Sequence, residues 1–459
     1  MSLLADPGVR SAVDLLSAWI EAQMAYADQP GLSIGIVHDQ ELVWAAGFGR
    51  ARLEPDRPAT PDTLYRIASI TKLFTSTAVL QLRDAGRLQL DDPIARHLPW
   101  FSIGQPHADA PVITIRHLLT HTAGLPREAG FPYWTDGDFP TVEKVRERLP
   151  QQRAALPTET EWKYSNLGLT LAGEVVAAVS GRPYAEYVVQ HVLEPLGMKR
   201  TFVATPAADH PDLAVGYTRR LPGSPRTPAP HTDGRGITAA ANMTTCVSDL
   251  ARFAMLQFRG GAAGGAQILK ASTLREMHRP HWVEPDWAAG WGLGFRILRQ
   301  NGKTYVGHGG ALRGYRTQVQ LCPAERIGVV VLTNADDGNP LQYTDKAFHW
   351  VAPAILKVVA PAPDAPPGGW ERYAGRYRNS WGDAQVLVVD GRLAMLDPSQ
   401  PDPMLTVSWL HPAGEHTFRL ETRNGFGANG EPVVFELDTD GRVRRVKIGE
   451  NFLTPIPRW

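Results

Sequence analysis

Arg66-Ile67-Ala68-Ser69-Ile70-Thr71-Lys72-Leu73-Phe74 is the one place in this 459-residue chain where a lysine follows a serine by three positions. At i and i+3 two side chains share a helix face. A serine hydroxyl is a weak nucleophile at neutral pH, and an uncharged amine fixed beside it can take its proton. Lysine ordinarily titrates near about 10.4, so it serves as that base only where burial or a neighbouring cation lowers its pKa. Leu73, Phe74, Ala78, Val79, Leu80 and Leu82 spread around the helix rather than along one stripe, which predicts a helix enclosed on all sides and closed by Gly86. A serine in its first turn would place backbone N–H groups and the positive end of the helix dipole near a developing oxyanion. Ser-x-x-Lys should arise by chance roughly once in a chain of this size, so two unrelated polar residues on a helix is the competing reading.

Two later elements shift the balance. Tyr164-Ser165-Asn166 precedes a helical run over residues 167–179, and His308-Gly309-Gly310 is expected between a short strand and a longer one. Each has an ordinary explanation: Ser165 or Asn166 is a good helix N-cap, Tyr164 suits a core, and two glycines suit a turn.

Taken in order, serine-lysine, then Tyr-x-Asn, then a cationic or aromatic residue followed by x-Gly resembles the serine β-lactamase and penicillin-binding-protein family, in its class C-like branch. Further stretches carry the likeness, among them Leu118-Leu119-Thr120-His121-Thr122-Ala123-Gly124-Leu125-Pro126, Val247-Ser248-Asp249-Leu250-Ala251-Arg252-Phe253 and Gly292-Leu293-Gly294-Phe295. Together they cover roughly the first 350 residues. The resemblance implies that Ser69 is acylated, that Lys72 assists its deprotonation, and that Tyr164 acts as general base for attack and general acid toward the leaving group. It gives Asn166 the positioning of Lys72 and of the substrate's acyl side chain. It sets His308 on the strand bordering the cleft, with Gly309 and Gly310 beside the substrate, and an oxyanion hole from the backbone N–H groups of Ser69 and Ala311. Which of Lys72 and Tyr164 is the acylation base stays open.

The third motif departs from the best-known lactamases, which have Lys-Thr-Gly there. His-x-Gly is similar to peptidase and amidase relatives. Histidine is fully charged only below about 6.5, which makes it a poorer anchor for a substrate carboxylate than lysine. Two other matches are set aside. Gly302-Lys303-Thr304 ends like a phosphate-binding loop, but Ile297 stands where that loop requires glycine. Gly31-Leu32-Ser33-Ile34-Gly35 spells a nucleophile elbow, yet a strand-like run follows the serine where the elbow needs a helix.

Composition fits a large enzyme: 43% of residues are hydrophobic, and lysine plus arginine equals aspartate plus glutamate at 47 each. Zero formal charge argues against nucleic acid or an anionic membrane as partner. Cys246 and Cys322 have neither disulfide nor metal spacing, and no metal or cofactor is expected. Asp6, Arg10, Asp14 and Glu21 break the pattern of a secretory signal, and no run is long enough to span a bilayer. The chain therefore reads as cytoplasmic, although one trimmed of its leader would read the same. Val9, Val13, Leu16, Ile20 and Met24 trace an amphipathic first helix.

The expected fold is α+β: a β-lactamase/transpeptidase-like catalytic domain over residues 1–359, with an antiparallel sheet and a helical region, then a small antiparallel β-barrel. Strands are expected at 32–37, 42–48, 295–300, 304–307, 315–321 and 327–333, and a closing helix at 341–359. Residues 360–369, Ala-Pro-Ala-Pro-Asp-Ala-Pro-Pro-Gly-Gly, read as a stiff linker. Beyond it, alternating runs punctuated by Asp390-Gly391, Asn429-Gly430 and Asp440-Gly441 are hairpin signals. The start Tyr373-Ala374-Gly375-Arg376-Tyr377 resembles the lipocalin-like barrel of some peptidase relatives, expected over 370–459. The reading is a metal-free serine hydrolase forming an acyl-enzyme on small-molecule or short-peptide substrates: esters, amides and peptides, D-residues included. A non-hydrolytic ligand-binding scaffold and an acyltransferase are the rivals.

Overall fold

The computed structural model describes residues 2–261, 264–360, 369–422, 425 and 427–457. The chain divides into two compact units, Met1–Val358 and Val359–Trp459. Most of the proline-rich linker, residues 361–368, lies outside the described residues.

The first unit is built on a nine-stranded antiparallel sheet, counted among the described residues. Its order is Arg57–Pro58, Glu41–Arg52, Gly31–His38, Ile327–Thr333, Tyr315–Cys322, Lys303–Leu312, Arg296–Gln300, Ala289–Trp291 and Trp282–Val283. The period of two along the central strands divides their side chains between two cores. Leu32, Ile34, Ile36, Val329 and Val331 face the first helix, Pro7–Ala27, and the closing helix, Pro340–Val359. Val37, Val330 and Leu332 face the helical region on the opposite side. The first helix starts where Asp6 accepts the N–H groups of Gly8 and Val9, with Pro7 at its first position. It buries all five residues of its predicted stripe, each contributing about 1.5–3 kcal/mol of transfer free energy.

The helical region contains two helices that matter for the site. Thr71–Asp84 is buried on almost every side, including its polar residues Thr75, Ser76 and Thr77. Asn166–Ser180 packs beside it, capped by Ser165, whose Oγ accepts the Gly168 N–H at 2.9 Å.

The second unit is a closed barrel of eight antiparallel strands, each hydrogen-bonded to the next and the last to the first, from Gly375–Asn379 to Asn451–Ile456. Its interior is filled with side chains, with Tyr373, Phe418 and Phe435 in mutual ring contact at 4.6–5.6 Å.

At the third motif the local reading as a gap between two strands fails, while the placement of His308 on a strand holds. His308-Gly309-Gly310 is neither a turn nor a gap between strands: it lies inside one ten-residue strand, Lys303–Leu312, in register with Val319, Gln318 and Thr317. The chain reverses further on, at Gly314, which has the positive φ of 80° that a tight turn needs. A second adjustment concerns Ser69, which sits in a separate 3₁₀ turn, Ala68–Ile70, just ahead of its helix.

Candidate active site

The turn carrying Ser69 is held in an unusual conformation. Ala68 has a φ of 47°, a left-handed backbone that costs a non-glycine residue about 1–3 kcal/mol. The strand Lys303–Leu312 clamps it from the sheet side. Thr317 Oγ1, on the neighbouring strand, donates to Ile67 O at 3.2 Å. A Cβ on Gly310 would sit 2.2 Å from that same carbonyl and 2.1 Å from Thr317 Oγ1. The last glycine of the motif is therefore required by close backbone approach, and it brings Ala311 to the mouth of the cleft beside Ser69.

Ser69 Oγ accepts two hydrogen bonds, from Lys72 Nζ at 3.1 Å and from the Tyr164 hydroxyl at 2.8 Å. Lys72 is fully buried and donates twice more, to Asn166 Oδ1 and Ala240 O, both at 2.8 Å. Those three acceptors match the three donors of an ammonium. Burial is nonetheless the largest influence on Lys72 and drives its pKa well below the ordinary lysine value. Burial also raises the pKa of Tyr164, while its hydrogen bond to Ser69 and the Arg127 charge oppose that rise. Lys72 and Arg127 both lie over the Tyr164 ring, at 4.8 and 5.0 Å from its centroid.

Two histidines flank the tyrosine, each with its tautomer set by a backbone group. His308 Nδ1 lies 2.6 Å from Gly309 O, and a carbonyl only accepts, so Nδ1 carries the proton. Burial, then the charge of Lys72, lowers the His308 pKa to about 3, leaving the ring neutral. His121 Nδ1 accepts the Ser165 N–H at 3.2 Å, which puts its proton on Nε2. Its ring centroid is 4.4 Å from that of Tyr164.

These residues line a cleft of about 760 Å³. Ser69, Tyr164, Asn166, His308, Gly309, Gly310 and Ala311 all reach it, and Lys72 lies beneath its floor. One wall is aromatic: Trp162 stacks on Trp291 at 4.9 Å, and Trp134, from the aromatic stretch ahead of the second motif, lines the cleft as well. Sequence reading missed Arg127, Glu128, Trp162, Trp291 and Arg296. Arg127 and Glu128 directly follow the Leu125-Pro126 signature, and the Asn166 N–H donates to Arg127 O at 2.8 Å, a tie that their sequence separation hides.

Among the described residues no group of three His, Cys, Asp or Glu is placed to hold a metal ion, and no helix is long and apolar enough to cross a membrane. Cys246 and Cys322 are both free and buried, and burial raises each thiol to about 11.

A family model described as Beta-lactamase matches residues 16–353. The chain belongs to the beta-lactamase family. It is 28% identical over 420 residues to Beta-lactamase-like protein 2 of Dictyostelium discoideum, covering 85% of this chain and 75% of that protein. It spans 61% of another curated relative, protein flp of Staphylococcus aureus, at 29% identity over 69% of this chain. Among solved structures, the octameric penicillin-binding protein homologue from Pyrococcus abyssi shares 26% identity and a TM-score of 0.64, over 96% of this chain and 99% of its own. That coverage extends the structural likeness into the barrel. The D-stereospecific amidohydrolase from Streptomyces sp. shares 25% identity and a TM-score of 0.61, over 72% of this chain and 97% of its own.

Proposed function

We propose that the chain is a serine hydrolase that cleaves small amides, short peptides including those with D-residues, and small esters through an acyl-enzyme on Ser69. The observation that carries this reading is the pair of hydrogen bonds converging on Ser69 Oγ from Lys72 and Tyr164 at the floor of an open cleft. In acylation, Oγ bonds to the substrate carbonyl carbon while the hydroxyl proton passes to the Lys72–Tyr164 pair. The negative charge on the carbonyl oxygen is met by the backbone N–H groups of Ser69 and Ala311. As the carbonyl re-forms, the leaving amine or alkoxide departs with the proton the pair returns. Water then attacks the ester, gives its proton to the same pair, and frees Ser69 and the acid.

Neutral His308 does not supply the cation that a lysine would offer a substrate carboxylate, so β-lactams act as slow acylating ligands rather than good substrates. The likeness to a D-stereospecific amidohydrolase supports amides of D-residues. The test is intact mass after exposure to a fluorophosphonate probe, with Ser69→Ala alongside. One adduct that vanishes in the variant supports the reading and justifies screening D-amides, esters and β-lactams. No adduct in the wild type would move the weight to a ligand-binding scaffold.

A further inference from the structure

Glu128 carries no role in the proposed acylation steps, yet its carboxylate engages Asn166, Tyr133 and Arg127. Its two oxygens accept from Asn166 Nδ2 at 2.9 and 3.1 Å. The Tyr133 hydroxyl donates to Oε2, and Arg127 Nε lies 3.1 Å from Oε1. A carboxylate can only accept, so this contact decides which way the Asn166 amide points: Nδ2 toward Glu128, Oδ1 toward Lys72. The result is an unbroken line from Glu128 through Asn166 and Lys72 to Ser69.

We infer that Glu128 is a positioning residue for acylation: through Asn166 it aims the Lys72 amine at Ser69, and its carboxylate biases where the proton of the Lys72–Tyr164 pair resides. This rests on the acyl-enzyme reading above.

The electrostatics have a sign that does not depend on which member of the pair is the base. After burial, Glu128 is the largest influence on Lys72 and favours its charged form, whereas Arg127 opposes it. On Tyr164, Arg127 favours the phenolate and Glu128 opposes it. His121 and His308 also face the pair and are neutral, both held down by burial and then by the charge of Lys72. Either base, neutral Lys72 or ionised Tyr164, is thus made harder to reach by Glu128 and easier by Arg127.

The measurement is the pH profile of kcat/KM of the full chain on p-nitrophenyl acetate, an ester without an amine, in Glu128→Gln and Arg127→Gln. Glu128→Gln is expected to move the acid limb to lower pH. It should also lower the plateau by about tenfold or more, because the glutamine amide confronts the donors that Glu128 accepts. Arg127→Gln is expected to move the limb to higher pH. A lowered plateau with an unmoved limb would reduce Glu128 to scaffolding and overturn the proposal. An effect confined to alanine p-nitroanilide, which carries an amine, and absent with the ester would overturn it in favour of substrate ammonium recognition. Should thermal melting show that Glu128→Gln does not fold, Glu128→Asp, which keeps the charge but shortens the reach to Asn166, carries the test: a lowered plateau is expected, and a wild-type plateau overturns the proposal. Wild-type ester turnover that persists in Ser69→Ala would sink the acyl-enzyme reading and this role with it. Ser69-dependent turnover with unmoved limbs sinks only the role of Glu128.

Discussion

Lys72 holds two opposed demands in one side chain. Its three acceptors suit an ammonium, while complete burial favours the free amine. A base works best when its pKa lies near the working pH, and this opposition is a way of reaching that range. Lys72→Ala and Tyr164→Phe should each slow acylation by about 10²–10⁴-fold, read as the rate of fluorophosphonate labelling at fixed pH. Near-normal labelling in Tyr164→Phe would assign the base to Lys72 alone. The histidines give a second expectation. His308 at about 3 and His278 at about 4 stand far below the ordinary value because burial disfavours their charged forms. Their folded pKa values are depressed, so the stability they contribute is present above about 6.5. As pH falls below that, the unfolded chain binds protons that the folded chain refuses, and stability is lost down toward the folded values. Thermal melting between pH 7 and pH 4 should show a falling midpoint, less steep in His278→Gln. A slope unchanged by that substitution would remove His278 from the account.

At the scale of elements, the two glycines of the third motif separate by function. Gly310 faces the Ile67 carbonyl, and its missing Cβ is what lets the strand lie against the turn of Ser69. Gly309 is exposed, and the one close contact of a Cβ there would be Gln318 Oε1 at 2.9 Å, the end of a flexible side chain, with the Thr317 carbonyl oxygen at an ordinary 3.6 Å. Gly310→Ala should therefore cost about 1–3 kcal/mol in stability and most of the labelling rate, while Gly309→Ala should be nearly silent in both. Equal effects would mean that strand placement is not what the motif secures. This contrast also marks a limit of sequence reading. His308, Gly309 and Gly310 were legible as a motif because their order and spacing are fixed, but two glycines read locally as a turn, and only the Ile67 contact, from a segment some 240 residues away, explains them within a strand. The first helix and the central strands were legible because burial imposes a period of 3.6 or 2 on them. Glu128 escaped because its meaning lies in Asn166, 38 residues on.

At the scale of the whole molecule, each of the two units has a core of its own. The first unit has a core on each face of its sheet, and the barrel has its own, closed around Tyr373, Phe418 and Phe435. The described residues lining the cleft run from Ser69 to Leu341 and all belong to the first unit. A chain ended after Ala360 keeps the closing helix Pro340–Val359, which covers the sheet through Tyr343, Val351 and Ile355. Such a chain is expected to fold and to be labelled at Ser69 by a fluorophosphonate at a rate within about tenfold of the intact chain. Calorimetry of the intact chain should show a van't Hoff enthalpy below the calorimetric one, as two cooperative units require. A truncated chain that folds but is not labelled would make the barrel a necessary part of the catalytic apparatus, because nothing in the lining of the cleft would then account for the loss. A single two-state transition for the whole chain would instead bind the two cores into one cooperative unit, and the barrel's contribution would have to be read as stability.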